Sequence, residues 1–254
     1  MTEADSTRVD MHVKTLDERV VRRAKARGLD VLVYAPHFVR LPEIRATAAR
    51  FSDDDLLVVP AREVFTGSWR NRRHLLAIGL TDPVPDFITL DGALREFDRQ
   101  DAAVVVPHPE LMNVSMSHED VATHLEVIDA VETYNAKCQP CQNRRGQRIA
   151  AALDVPKFGS SYAHLRSTIG EAWTQLETVV EDESDLVDAL KSGVSRRVLH
   201  RPGLAHRVRS LVEFAHLGFE NSWGKFDRLL LSGMEPTHPR QVAYDGRFDS
   251  VSAY

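Results

Sequence analysis

Cysteine is scarce in this sequence: Cys138 and Cys141 are the two copies in 254 residues, spaced as one C-x-x-C. A structural zinc site normally takes four ligands, often from two such pairs, so one pair does not supply it. Two cytosolic thiols in a loop are the plain reading. Lysine is also scarce, with 6 copies against 26 arginines. No apolar run approaches the roughly 18 to 20 residues needed to cross a bilayer. The opening MTEADSTRVD is too polar and acidic for a signal peptide, so a cytoplasmic protein without membrane contact is expected. A surplus of positive charge is missing as well. The net charge of -5 argues against a nucleic-acid-binding surface spread over the whole chain, while permitting a local basic patch. Neither internal repeats nor low-complexity tracts occur.

What is present is the composition of a globular protein, with 43% hydrophobic and 27% charged residues. The length suits one large α/β domain. Apolar, β-branched runs bounded by turn formers predict about seven strands: Val9-Val13, Leu29-Ala35, Leu56-Glu63, Leu75-Leu80, Ala102-His108, Ala130-Asn135 and Pro156-Ala163. Several are almost wholly apolar, as parallel strands buried on both faces are. Between them Asp17-Arg27, Leu90-Arg99, His118-Ile128 and Arg144-Leu153 carry apolar residues at helical spacing. Such βα alternation closes readily into a barrel. Past Gly193 the pattern changes. Leu204-Leu217 and Trp223-Leu231 read as two further helices, and Glu235 to Tyr254 as a polar tail that either docks or stays mobile. The expected division is a barrel over residues 1–200 and a C-terminal helical extension and tail over 201–254.

Histidines fall where an α/β barrel keeps its active site. His12, His37, Glu63, His108 and His164 each stand at or just past the C-terminal end of an expected strand. His74 instead precedes its strand. An isolated histidine is usually a hydrogen-bonded core or surface residue, but registration with successive strand ends points to a shared pocket. Imidazoles and a carboxylate suit zinc, manganese or iron.

These residues carry a family resemblance. Asp10-Met11-His12-Val13-Lys14-Thr15 resembles the D-x-H-x-H-T opening of PHP (polymerase and histidinol phosphatase) proteins. Ala35-Pro36-His37 resembles T-D-H, Val59-Pro60-Ala61-Arg62-Glu63 resembles P-G-x-E, and His74-Leu75-Leu76 follows as in the family. His108-Pro109, Glu132 to Asn135 (E-x-x-N) and Gly159 to His164 (G-S-D-A-H) complete the order, with Gly170 to Thr174 where the family often has G-x-x-x-T. The match spans about Val9 to Thr174. It implies a distorted seven-stranded (β/α)7 barrel that binds up to three divalent ions and hydrolyses phosphate esters or phosphodiesters.

Three positions depart from that pattern: Lys14, Pro36 and Tyr162 replace a histidine and two aspartates. The resemblance implies that Lys14 and Tyr162 stand where the first ion has ligands, leaving it only His12 and Glu63. Glu63, His74 and His108 match the second ion, and His37 and His164 match part of the third. One or two ions are therefore expected rather than three. Lys14 stands as a candidate catalytic group that replaces an ion's charge, with an ion pair to Glu63 as the plain alternative. Arg70, Arg72 and Arg73 are candidate substrate-binding residues, because guanidinium forks suit phosphate oxygens. The helix-borne Arg144, Arg145 and Arg148 are read as solvated.

The leading functional reading is a metal-dependent phosphoesterase acting on a phosphorylated small molecule or nucleic acid. The alternative is a non-catalytic protein that binds RNA or a phosphorylated ligand, similar to the PHP-like subunit of ribonuclease P. A third is a structural or regulatory subunit whose C-terminal apolar positions, around Trp223 and Phe226, pack on a partner.

Overall fold

The alternation of buried β-branched runs and amphipathic segments folds as a mixed α/β barrel. The computed structural model describes residues 6–68, 71–111, 114–219 and 235–253. Its first half runs β1 (Thr7–Val13), α1 (Glu18–Ala26), β2 (Val31–Tyr34), α2 (Leu41–Phe51), β3 (Leu57–Thr66), β4 (Arg73–Ile78), α3 (Leu90–Arg99) and β5 (Ala103–Val106). The second half runs α4 (His118–Thr123), β6 (Ala130–Asn135), α5 (Pro140–Leu153), β7 (Lys157–Ser160), β8 (Ala172–Leu176), α6 (Glu183–Lys191), β9 (Arg196–His200) and α7 (Leu204–Phe219). The expected helix Trp223-Leu231 lies outside the described residues.

All seven expected strands form, and β8 and β9 join them in one sheet ordered β7-β6-β5-β4-β3-β2-β1-β8-β9. The two extra strands escape a search for apolar runs because they are amphipathic. β8 alternates buried and half-buried residues, and β9 has none buried. The sheet is not wholly parallel either: β4 pairs antiparallel with both β3 and β5. Only residues 67–72 join β3 to β4, too few for a crossover helix, so the chain must turn back as a hairpin. The expected helix His118-Ile128 breaks at His124, since α4 has Val121 as its one buried anchor, and a 3-10 turn follows.

The sheet curls until its ends meet. Val13 bridges Ala163 in parallel, and the Thr174 hydroxyl bonds Gly159 N and O at 2.9 and 3.0 Å. Glycine is required at position 159, where a Cβ would lie 2.4 Å from Val198 Cγ1 on β9. By the period of two, Val9 and Met11, Val31 and Val33, Val59 and Ala61, and Leu76 and Ile78 share an interior cluster. Leu186, Val187 and Leu190 of α6 pack onto it. That apolar fill leaves the opposite end of the barrel to polar groups.

The C-terminal tail docks. Asp86 N bonds Thr237 O at 2.8 Å, Thr89 N bonds Val251 O at 2.7 Å, and Ala253 N bonds Phe87 O at 2.9 Å. Tyr244 and Phe248 enter the same apolar cluster as Phe97 of α3.

Candidate metal centre

The carboxylate of Glu63, wholly buried on β3, is the hub of the polar end. Its two oxygens face different company. Oε1 lies 3.0 Å from His108 Nε2 and 3.3 Å from His74 Nδ1. Oε2 lies 2.8 Å from His37 Nε2 and 3.7 Å from His12 Nε2, and it is paired with the Lys14 ammonium. Lys14 Nζ also donates to Ala35 O at 2.5 Å. His74, expected before its strand, is the second residue of β4, and the antiparallel course of β4 brings it here: the start of that strand shares a barrel end with the C-terminal ends of β1, β2 and β5.

Tyr162 fills the middle. Its ring centroid lies 4.6 Å from that of His12, 5.0 Å from His108 and 4.8 Å from His164. Lys14 and Lys137 stand 5.7 and 4.9 Å from the same ring. His164 Nδ1 lies 2.9 Å from Tyr162 O and 3.0 Å from Lys137 Nζ. All six expected metal-binding residues and Lys14 therefore converge.

The arginines stand otherwise. Arg70 lies outside the described residues. Arg73 Nε donates to Asp120 of α4 at 2.5 Å, and the Arg72 guanidinium lies 5.2 Å from the Phe87 ring centroid. Arg144, Arg145 and Arg148 lie on the outward side of α5.

Buried carboxylates position the backbone. Asp10, of the opening motif, accepts from Ser161 N at 2.9 Å and Gly170 N at 3.1 Å, anchoring the loop that carries Tyr162 and His164. Burial pushes its pKa up to about 6 against those bonds. Glu132 accepts from His108 N at 2.6 Å, Ser160 Oγ at 2.5 Å and Asn135 Nδ2 at 2.9 Å. Those bonds hold His108 at φ 34, a region costly for a non-glycine residue. Burial raises the Glu132 pKa too.

Sequence reasoning missed Lys137 and Glu213. Lys137 is 2% exposed although lysine is ordinarily a surface residue, and its one signal is its place just past β6. Glu213 of α7 accepts from His164 N at 3.1 Å and Leu165 N at 2.8 Å, and nothing local marks it.

Four of the imidazoles, those of His12, His37, His74 and His164, are held neutral. Burial, with the Lys14 ammonium adding to it, lowers His12 and His37 to about 3. Burial likewise lowers His74, and burial together with Lys137 lowers His164 well below the usual range. For Glu63 burial acts upward, but the Lys14 ammonium and the facing His12 and His108 outweigh it and hold the carboxyl well below its usual value.

Neutral imidazoles beside an ionised carboxylate are the protonation states that metal binding needs. Among the described residues one group can hold an ion: Glu63, His74 and His108 each offer an atom within 4.8 Å of the others. His74 Nε2 has no hydrogen-bond partner and Nδ1 only the 3.3 Å approach to Glu63 Oε1, a poorly satisfied state that a cation would resolve. His108 Nδ1 meets Ser115 Oγ at 2.8 Å, and a hydroxyl can donate or accept, so it supports either tautomer. The residues present thus fit a divalent ion on the Oε1 side. On the Oε2 side the lysine supplies the charge.

Residues 140–195 match the family model described as PHP-associated. Among curated proteins, no sequence matches the chain. The structure is similar to that of PsfC from Pseudomonas syringae, at 17% identity over 84% of this chain and 99% of that one (TM-score 0.63). It is also similar to a two-domain protein from Bacteroides vulgatus described as containing a predicted PHP-like metal-dependent phosphoesterase. That likeness has 17% identity over 82% of this chain and 69% of that one (TM-score 0.57). The lesion-specific endonuclease PfuEndoQ from Pyrococcus furiosus matches at 13% identity over 76% of this chain and 57% of that one (TM-score 0.55). No described helix is long and apolar enough to cross a membrane.

Proposed function

This chain is a PHP-fold protein, and we propose that it is a metal-dependent phosphoesterase working with fewer ions than the three the family pattern allows. The observation that carries the reading is the buried Glu63, His74 and His108 group with its donor atoms within 4.8 Å. Those three residues would hold a divalent ion, which when bound supplies a Lewis acid at a phosphoryl oxygen. The rest of the chemistry belongs to the chain. Lys14, balanced between Glu63 Oε2 and Ala35 O, holds positive charge where the resemblance implies a first ion. An anionic ester entering the pocket meets that ammonium, with Lys137 beyond the Tyr162 ring. Two fixed cations in a water-poor pocket favour a phosphoryl group whose charge grows during reaction. Burial of His12, Glu63 and His108 excludes bulk water from that space.

The test begins with elemental analysis of protein purified without chelators. One or two equivalents of zinc, manganese or iron, lost on Glu63→Gln, support the reading. Hydrolysis of phosphomonoesters and short oligonucleotides is then expected to need that metal and to vanish in Glu63→Gln and His108→Ala. Activity surviving both substitutions would exclude this mechanism. A second reading, a binding protein built on the same pocket, is favoured by the Lys14 ion pair and by Tyr162 filling the centre. It predicts no bound metal even after metal addition, and salt-sensitive binding of RNA or a phosphorylated ligand.

A further inference from the structure

Outside this pocket, four guanidinium groups gather around one carboxylate. Glu171, at the start of β8, is buried, and its Oε1 accepts from Arg27 Nη2 at 3.0 Å and Arg209 Nη1 at 2.9 Å. Its Oε2 meets His206 Nδ1 at 2.9 Å, and Arg23 Nη2 stands 3.9 Å from Oε1. Arg201 closes the group, donating to Gly170 O at 3.3 Å and Arg27 O at 3.1 Å while lying 5.7 Å from the Trp173 ring. These residues come from α1, the end of β9 and α7.

One carboxylate does not balance four arginines held this close. Burial and the neighbouring guanidiniums lower the pKa of both Arg23 and Arg27, as expected where like charges crowd. A clamp fastening α7 to the barrel needs Arg209 and His206 on Glu171, but it leaves Arg23 and Arg201 without a carboxylate within hydrogen-bond reach. Two buried donors here also lack any acceptor: Arg23 Nε and Trp173 Nε1. Buried N–H groups are rarely left so, and an oxyanion supplies acceptors and negative charge together. The side chains of Arg23 and Arg209 remain 28% and 34% exposed, which leaves the cluster open to solvent ions.

We propose that Arg23, Arg27, Arg201 and Arg209 form a binding site for a phosphate-type oxyanion, separate from the metal pocket. Arginine forks match the oxygens of such a group, and several converging forks select a multiply charged tetrahedral anion over chloride. The group is either free inorganic phosphate or the phosphate of a small monoester. Occupancy would tie α1, β9 and α7 together. Because Arg209 lies one turn before Glu213, which holds the His164 backbone, it would also brace one wall of the pocket.

The experiment is calorimetric titration of the full chain, in EDTA and at constant ionic strength, with inorganic phosphate and separately with glycerol 3-phosphate. A saturable site is expected that weakens about tenfold or more in Arg23→Gln and in Arg201→Gln, the loss of one charge-assisted bond each. It should persist in Lys14→Met, which alters only the pocket, and should tighten in Glu171→Gln, where the competing carboxylate is gone. Equal affinity for the two ligands assigns the site to the bare phosphate group, and preference for the ester to an esterified one. Absence of millimolar binding by the wild type, or unchanged binding in both arginine variants with native circular dichroism, would overturn the proposal. Loss of binding in Lys14→Met alone, with native circular dichroism at the titration temperature, would also overturn it, by moving the anion into the pocket. The proposal does not rest on the phosphoesterase reading and can fail or stand without it.

Discussion

Lys14→Met isolates the role of the lysine at the heart of the pocket. The side chains of Lys14 and Glu63 are 5% and 0% exposed, so their ion pair is a buried one. Removing one partner of such a pair leaves an uncompensated buried charge and destabilises by about 3 to 5 kcal/mol. For a chain of this size each kcal/mol moves Tm by about 2 to 4 °C, so metal-free Lys14→Met should melt roughly 10 °C below wild type. Zinc changes the outcome. An ion held by Glu63, His74 and His108 would share that carboxylate from the Oε1 side, and without the ammonium nearby its affinity should rise at least about tenfold, or about 1.4 kcal/mol. At 100 times its dissociation constant a bound ion adds about 2.7 kcal/mol. Wild type gains less from the same zinc, so the gap should shrink by about 1.4 kcal/mol, or roughly 3 to 6 °C. Thermal melts in EDTA and in zinc, with a competing chelator to measure affinity, check both parts. Equal gaps in the two conditions, with unchanged zinc affinity, would refute the idea that lysine and ion compete for one carboxylate.

Three other perturbations have calculable outcomes. Glu132→Gln leaves His108 N and the Ser160 hydroxyl with a neutral acceptor, so urea unfolding should show a loss of about 1 to 3 kcal/mol, and zinc affinity should fall because His108 loses its support. Gly159→Ala places a methyl 2.4 Å from Val198 Cγ1, and overpacking of that kind costs about 1 to 3 kcal/mol, readable as a lower urea midpoint. Phe248→Ala removes a buried ring from the docked tail, and a loss of about 3 to 5 kcal/mol is expected. An unchanged melting curve there would mean that the tail contributes nothing to stability.

The sequence by itself determined what depends on neighbours along the chain. Buried strands show as apolar runs because both faces are covered, and the histidines show at the ends of those runs because a barrel keeps its polar groups at one rim. The hairpin of β3 and β4 was not legible, because the expected strands ended at Glu63 and began at Leu75; the strands are longer at both ends, and His74, expected before its strand, is the second residue of β4 and pairs with Phe65. Tertiary structure alone decided the rest. β9 has no buried residue to mark it, and it is a strand because β8 offers it an open edge. Lys137 and Glu213 lie 76 positions apart and meet near His164 only because α7 folds back over the barrel rim. Which oxygen of Glu63 faces a lysine and which faces two imidazoles was likewise beyond any local pattern. That division is set by the closing of the barrel, which brings side chains from β1, β4 and the loops after β1, β2 and β5 to a single carboxylate on β3.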